Sequence, residues 1–373
     1  MSYEKYYFKR EPFLPDLDVK MLGREKEWDQ IEAFLNESLA GNRIRSFLII
    51  GDYGFGKTFT LNKIRESIEA PDSIIRNADK TLCVQIVLAE TEPAGSISHE
   101  YVTKIFYSIG KEALFKISKR APNADLAGLS RKFDMIANAL INEKEEAFSW
   151  LIGETLSSSE KREIGVRRKF APTESLSILM NFLRFLKICG YENLLVVLDE
   201  FEYAVNVYSE QKLTALFHTF KNIYDRFIER SAEYYAKHIQ IIALTPKGYD
   251  VINDLEKRLR KKTGGGGISP WMERMRFERN QVSLRPLDDD SARELLIERI
   301  ERERLKYKEV SYKTFPFVHP SFFDEMIKIS KGKPRNLLDY SEIVLEEAAR
   351  RDIKEIDGEL VLKILEEYGG LVS

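Results

Sequence analysis

A chain of 373 residues has room for two domains, with 43% hydrophobic residues to build a sizeable core and 32% charged residues to solvate its surface. That balance excludes a disordered chain. A net charge of −2 excludes global attraction to nucleic acid, and no apolar run approaches the roughly 20 residues that span a bilayer.

The remaining compositional signals point to a cytoplasmic protein. Cys83 and Cys189 lie in apolar segments and read as reduced, buried thiols, and the four histidines show no metal-ligand spacing. Residues 1–10 are aromatic and charged, unlike a signal peptide.

In chain order, residues 24–39 place Trp28, Ile31, Phe34, Leu35 and Leu39 at helical spacing and predict an amphipathic helix, ended by Gly41-Asn42. The run Phe47-Leu48-Ile49-Ile50 then predicts a strand, and Gly51-Asp52-Tyr53-Gly54-Phe55-Gly56-Lys57-Thr58 follows it directly. The spacing G-x-x-x-x-G-K-[ST] between strand and helix makes a phosphate loop. Its backbone N–H groups wrap a triphosphate, and the helix N-terminus adds its positive dipole end. Lys57 is expected on the β- and γ-phosphates and the Thr58 hydroxyl on Mg²⁺, with Phe59 opening the helix that leads away. Tyr53 and Phe55 occupy variable positions of the pattern and are expected to pack or to face solvent.

Apolar runs at 82–88, 194–198 and 239–244, with a weaker one at 281–284, predict further strands. Separated by helical stretches, they imply a five-stranded parallel sheet covered on both faces. Between 89 and 193 no strand is expected. Helices at 97–119, 129–141, 147–156 and 175–188 make this a helical insertion, about residues 96–175, in the second crossover. A basic run at 256–263 enters Gly264-Gly265-Gly266-Gly267 and predicts a surface loop. After Pro286 the pattern is all helical. Asp288-Asp289-Asp290-Ser291 is expected to cap a helix, Ser291 with Glu294 fits a capping box, and helices follow at 321–331, 335–350 and 358–368. The expected organisation is an α/β domain over 1–286 and an all-α domain over 287–373.

Asp199-Glu200 ends the third apolar run. A carboxylate at a strand's C-terminal end lies at the edge of such a sheet where ligands bind. Asp199 is expected to serve the Mg²⁺ and Glu200 to orient and polarise the attacking water.

Phosphate loop, strand-ending Asp-Glu, a third strand with a polar end, and a helical domain opening on Gly332-Lys333-Pro334-Arg335 together resemble an AAA+ ATPase. Within that class the chain resembles the replication-initiator (origin-recognition) ATPases and the TnsC-type transposition regulators. The resemblance implies an ATPase with a C-terminal helical lid, using ATP and Mg²⁺. It implies that Gly23 and Arg24, in Leu22-Gly23-Arg24-Glu25-Lys26-Glu27, lie against the adenine. Thr245 takes the sensor-1 position, although Thr245-Pro246 stands where initiators usually have Ser-Asn, so only a hydroxyl is there to contact the γ-phosphate or water. Arg335 takes the sensor-2 position of the lid; a cation at a helix start is unfavourable without an anion nearby. Arg274 falls where initiators project an arginine finger into the neighbouring subunit, with Arg276 and Arg279 as alternatives, and this implies a homo-oligomer.

Two basic segments are candidates for duplex DNA: Arg167-Arg168-Lys169 in the insertion, and Arg260-Lys261-Lys262 beside the glycine run. The chain stops with the helical domain, leaving no room for a winged-helix module, so a regulator recruiting a protein effector fits better than an origin reader. A second reading is a STAND-type signalling NTPase that acts on protein partners without DNA.

Overall fold

The computed structural model describes residues 2–14, 21–41, 43–88, 95–121, 126, 128–229, 233–263, 271–272, 277–305 and 313–368, without the side chains of 2, 262 and 263. Two compact units emerge. One comprises residues 30–50 and 61–283, the other residues 1–29, 51–60 and 284–373.

The larger unit is built on five strands: β1 (Ser46–Ile50), β2 (Thr81–Val87), β3 (Asn193–Asp199), β4 (Lys237–Leu244) and β5 (Gln281–Ser283). All pairings are parallel, in the order β2-β3-β4-β1-β5. β3 and β4 are buried along their whole length. The reason is that side chains alternate between two covered faces. Leu194, Val196 and Leu198 share one core with Leu48, Ile50, Ile242 and Leu244. On the other face α1 (Glu25–Ala40) sets the Phe34 ring 4.7 Å from that of Phe47.

After β1 comes α2 (Lys57–Glu69). Between β2 and β3 lie α3 (Ile97–Ile109), α4 (Lys111–Ser118), α5 (Arg131–Ile141), α6 (Glu145–Leu151), α7 (Ser158–Glu163) and α8 (Ser175–Ile188). No strand interrupts them among the described residues. Phe106, Phe133, Trp150, Phe182 and Phe185 are fully buried there. The single helix expected at 97–119 is two helices, because Gly110 adopts a φ of 77°. Glycine pays no steric penalty in that conformation, so the chain bends there. The helix expected at 147–156 starts earlier and ends at Leu151, with Gly153 at a φ of 85° just beyond it. α9 (Phe201–Val207) and α10 (Glu210–Glu229) connect β3 to β4, and α11 (Pro246–Thr263) follows β4.

In the smaller unit α12 (Asp289–Arg302), α13 (Pro320–Ser330), α14 (Pro334–Arg350) and α15 (Gly358–Glu367) enclose Leu296, Ile300, Phe322, Met326, Leu345 and Ile364. The beginning of the chain belongs to this core through Tyr6, Phe8 and Phe13. Phe8 forms an antiparallel bridge with Arg304, whose guanidinium donates to the Tyr6 carbonyl at 2.7 Å and lies 4.4 Å from the Phe8 ring. The cap of α12 differs from the expected capping box. Asp288 Oδ1 accepts from the Ser291 amide at 2.8 Å, so Asp288 is the cap and Ser291 sits inside the first turn.

Candidate nucleotide-binding site

β1 hands over at Ile50 to Gly51, which is buried against Leu284. A Cβ on Gly51 would come within 3.1 Å of the Leu284 Cβ. The Phe55 amide closes the loop onto the Asp52 carbonyl at 3.2 Å. Gly54, at a φ of 82°, permits a left-handed turn that an L side chain would strain. Lys57, the first residue of α2, is buried. Its ammonium donates to the Gly51 carbonyl at 2.9 Å and lies 5.1 Å from the centre of the Tyr53 ring. Thr58 is exposed, Phe59 is half-buried, and the Thr60 hydroxyl donates to the Gly56 carbonyl at 2.9 Å. α2 begins at Lys57, and the N-terminal turn of a helix, with its amides and positive dipole end, favours an anion.

Two further segments of the same unit reach this loop. The Arg335 amide, in the first turn of α14, donates to the Gly54 carbonyl at 3.2 Å, while the Arg335 side chain is exposed. Lys333 brings its ammonium to 5.8 Å from the centre of the Phe55 ring, a contact the sequence reading did not anticipate. Gly332 permits the turn before them: its φ is 68°, and a Cβ there would lie 2.3 Å from the Leu287 carbonyl oxygen. From the other side comes Arg24, buried to 6% exposure. Its guanidinium donates to the Phe55 carbonyl at 3.3 Å, to the Arg285 carbonyl, and to Glu27 at 3.4 Å. Burial lowers the Arg24 pKa, and the Glu27 carboxylate opposes that shift. Gly23 beside it packs against Ser291 with no room for a Cβ.

In the larger unit the C-terminal ends of the strands carry the acidic pair. Asp199 is 4% exposed. Its Oδ1 accepts from the Glu200 amide at 2.8 Å and its Oδ2 from the Gln85 side-chain amide at 3.3 Å. Glu200 stands at a φ of 49° and ψ of 35°, in the left-handed region, directly before α9. Non-glycine residues occupy that region rarely, and such conformations cluster at functional sites. Thr245, buried after β4, accepts the Gly248 amide at 3.1 Å on its hydroxyl oxygen and so caps α11. Its hydroxyl proton is not used by that bond. Arg274 and Arg276 lie outside the described residues, and Arg279 is exposed.

The two basic segments differ. Lys257, Arg258 and Arg260 of α11 pair with Asp254 at 3.0 Å, Glu210 at 3.9 Å and Glu256. Lys261 is exposed, and the side chain of Lys262 lies outside the described residues. By contrast, Arg167, Arg168 and Lys169 are exposed and form no ion pair among the described residues. Buried Val166 and Phe170 flank them, and the Trp150 indole donates to the Arg168 carbonyl at 2.9 Å.

The loop's backbone and Lys57 fit a triphosphate. The Thr58 hydroxyl in the smaller unit and the Asp199 carboxylate in the larger are each a hard oxygen donor of the kind Mg²⁺ takes. Among the described residues no group of three or more His, Cys, Asp or Glu is arranged to hold a metal by itself, and no helix is long and apolar enough to cross a membrane.

Comparison with solved structures places the fold. The ORC2 protein of Aeropyrum pernix, solved as ADPNP–ADP complexes, superposes with a TM-score of 0.54 at 15% identity, covering 97% of this chain and 72% of that one. Cdc6p from Pyrobaculum aerophilum gives a TM-score of 0.55 at 15% identity, with coverages of 95% and 70%. At such identities the likeness establishes the fold alone, that of an AAA+ P-loop NTPase. Among curated proteins nothing matches. The family profile described as BREX system ATP-binding protein BrxC/D matches residues 85–333, from the middle of β2 to the residue before α14. That span is more than half of the sequence, and the chain therefore belongs to the family of BREX system ATP-binding proteins BrxC/D.

Proposed function

We propose that this BREX-family protein hydrolyses ATP, assembles with copies of itself, acts on duplex DNA and passes its nucleotide state to a partner protein. One observation supports hydrolysis above all. Glu200 follows a strand-ending aspartate and is held in a left-handed conformation by the bond its amide makes to Asp199. That strain is retained against a cost of about 1 kcal/mol or more, as expected of a residue selected for where it aims its carboxylate.

In this reading Lys57 and Arg335 bind the phosphates, Gly51 to Phe59 wrap them, and Gly23 and Arg24 border the adenine. Thr58 and Asp199 would hold Mg²⁺, which would supply neutralisation of phosphate charge. Glu200 accepts a hydrogen bond from the attacking water and takes its proton as the new bond to the γ-phosphorus forms and the bond from that phosphorus to the β,γ-bridging oxygen breaks, with ADP as the leaving group. The unused hydroxyl proton of Thr245 serves the γ-phosphate or that water. Arg274 acts in trans on a neighbour's triphosphate.

Phosphate release from Mg-ATP tests the reading. Glu200→Gln is expected to abolish it while leaving ADPNP binding intact; unaltered turnover would show that another group activates the water.

For DNA, Arg167, Arg168 and Lys169, exposed and without an ion pair among the described residues, support contact with phosphates, whereas Lys257, Arg258 and Arg260 of α11 pair with acidic neighbours. That pairing favours the second reading, a switch acting on protein partners alone, as far as α11 is concerned. Absence of any duplex complex at low salt with ADPNP would decide for the switch.

A further inference from the structure

β2 is one edge of the sheet, and its partner β3 ends in the acidic pair. In the parallel register Val87 lies beside Asp199 and Gln85 beside Val197, so Gln85 is the diagonal neighbour of Asp199 on one face. Gln85 is the polar residue in the otherwise apolar run Cys83-Val84-Gln85-Ile86-Val87. Its side-chain amide donates to Asp199 Oδ2, while the Glu200 amide takes Oδ1. Each carboxylate oxygen thus keeps one fixed donor and a lone pair facing elsewhere, and rotation about the Cβ–Cγ bond is closed off.

β2 is itself held at these positions. The Ser108 hydroxyl of α3 donates to the Gln85 carbonyl at 2.8 Å, and the Lys104 ammonium of α3 donates to the Val87 carbonyl at 2.6 Å. These bonds fill acceptors that an edge strand would otherwise present to solvent. They also fix the backbone from which the Gln85 side chain reaches.

We infer that Gln85 is a positioning residue for the Asp199 carboxylate, setting the orientation in which it meets the divalent cation of the nucleotide complex. The inference rests on the reading of Asp199 as the metal-side carboxylate. Partners that orient a metal-side carboxylate typically change metal affinity by ten- to a hundredfold when removed. In this inference Gln85 acts through the bond it donates to Asp199.

The test uses the full chain, fluorescent ADPNP, and Mg²⁺ titrated from zero. Gln85→Met keeps the length and packing of the side chain and removes the donor; Gln85→Leu serves if the first does not fold. The expected result is metal-free ADPNP affinity within twofold of the parent and a Mg²⁺ half-saturation raised about tenfold. Asp199→Asn should raise it at least as much. An unchanged half-saturation in the Gln85 variant, with Asp199→Asn shifted, overturns the inference. A parallel loss of metal-free binding also overturns it, because Gln85 would then support the fold in general. No shift in either variant removes the reading of Asp199 beneath it.

Discussion

The amide of Glu200 donates to Oδ1 of Asp199 at 2.8 Å, and with that bond the backbone at Glu200 turns left-handed. The strand ends there, and the side chain after it leaves in a direction that an ordinary extended residue would not take. Glycine relaxes such a turn but is freer in the unfolded chain, and the two effects oppose each other. Glu200→Gly is therefore expected to melt within about 2 °C of the parent, while turnover falls at least ~100-fold. Calorimetry and phosphate release on the same sample check both halves. A large drop in melting temperature would mean that the carboxylate serves stability instead of chemistry.

Arg24 ties the phosphate loop to the chain entering α12 through the Phe55 and Arg285 carbonyls. A planar guanidinium can serve two carbonyls and the Glu27 carboxylate at once; an ammonium cannot reproduce that fork. Arg24→Ala should weaken ADPNP binding about tenfold, roughly 1.4 kcal/mol, and Arg24→Lys should fail to restore it. Isothermal titration decides the matter, and recovery by lysine would show that charge alone is needed.

Glu11 is buried to 4% exposure and its carboxyl is pushed up to about 7, chiefly by burial. The Phe13 amide, donating at 3.0 Å, and Tyr3 oppose that shift; the Glu342 and Glu346 carboxylates add to it. Unfolded, the group titrates near its ordinary 4.5. Between pH 4.5 and 7 the folded chain therefore binds more protons than the unfolded one, and stability falls as pH rises through that window. Glu11→Gln should gain on the order of 2 kcal/mol above pH 7 and nothing below pH 4.5. Urea unfolding at pH 4.5, 6 and 8 measures this; equal gains at all three would place the effect elsewhere.

Arg167, Arg168 and Lys169 stand on a turn braced by Trp150 and Phe170, whose rings stack at 5.1 Å. Reversing all three to glutamate should abolish duplex binding in ADPNP. Replacing them by glutamine should flatten the dependence of log affinity on log salt by about 2 to 3. Reversing Lys257, Arg258 and Arg260 should instead set like charges against Asp254, Glu210 and Glu256 and act on the stability of α11. Anisotropy over a salt series separates the two surfaces.

The phosphate loop was legible in the sequence because its chemistry is backbone chemistry: glycines at fixed spacing between a strand and a helix suffice to specify it. The strands were legible because β1 and β3 are buried on both faces and read as continuous apolar runs at 47–50 and 194–198, and the apolar stretch 239–244 of β4 is broken by Gln240 alone. Gln85 was not, since its bond to Asp199 depends on the register between β2 and β3, which no local pattern encodes. The Arg24 contacts join residues 31 and 261 positions apart and were equally hidden. α10 could have been found: Leu213, Leu216, Phe217, Phe220, Ile223 and Phe227 recur at helical spacing. Within the segment Asp288-Asp289-Asp290-Ser291 it is Asp288, not Ser291 of the expected capping box, that caps α12, because all four are good caps and only backbone geometry selects among them.

Tyr6, Phe8 and Phe13 fill a core whose other buried hydrophobic residues begin at Leu287. A ribosome adding roughly 5 to 20 residues per second needs about fifteen seconds to a minute to travel between those points. Throughout that interval three aromatic side chains near the start of the chain have been made but have nowhere to settle. Nascent-chain holdases should find this stretch before its own tertiary partners exist.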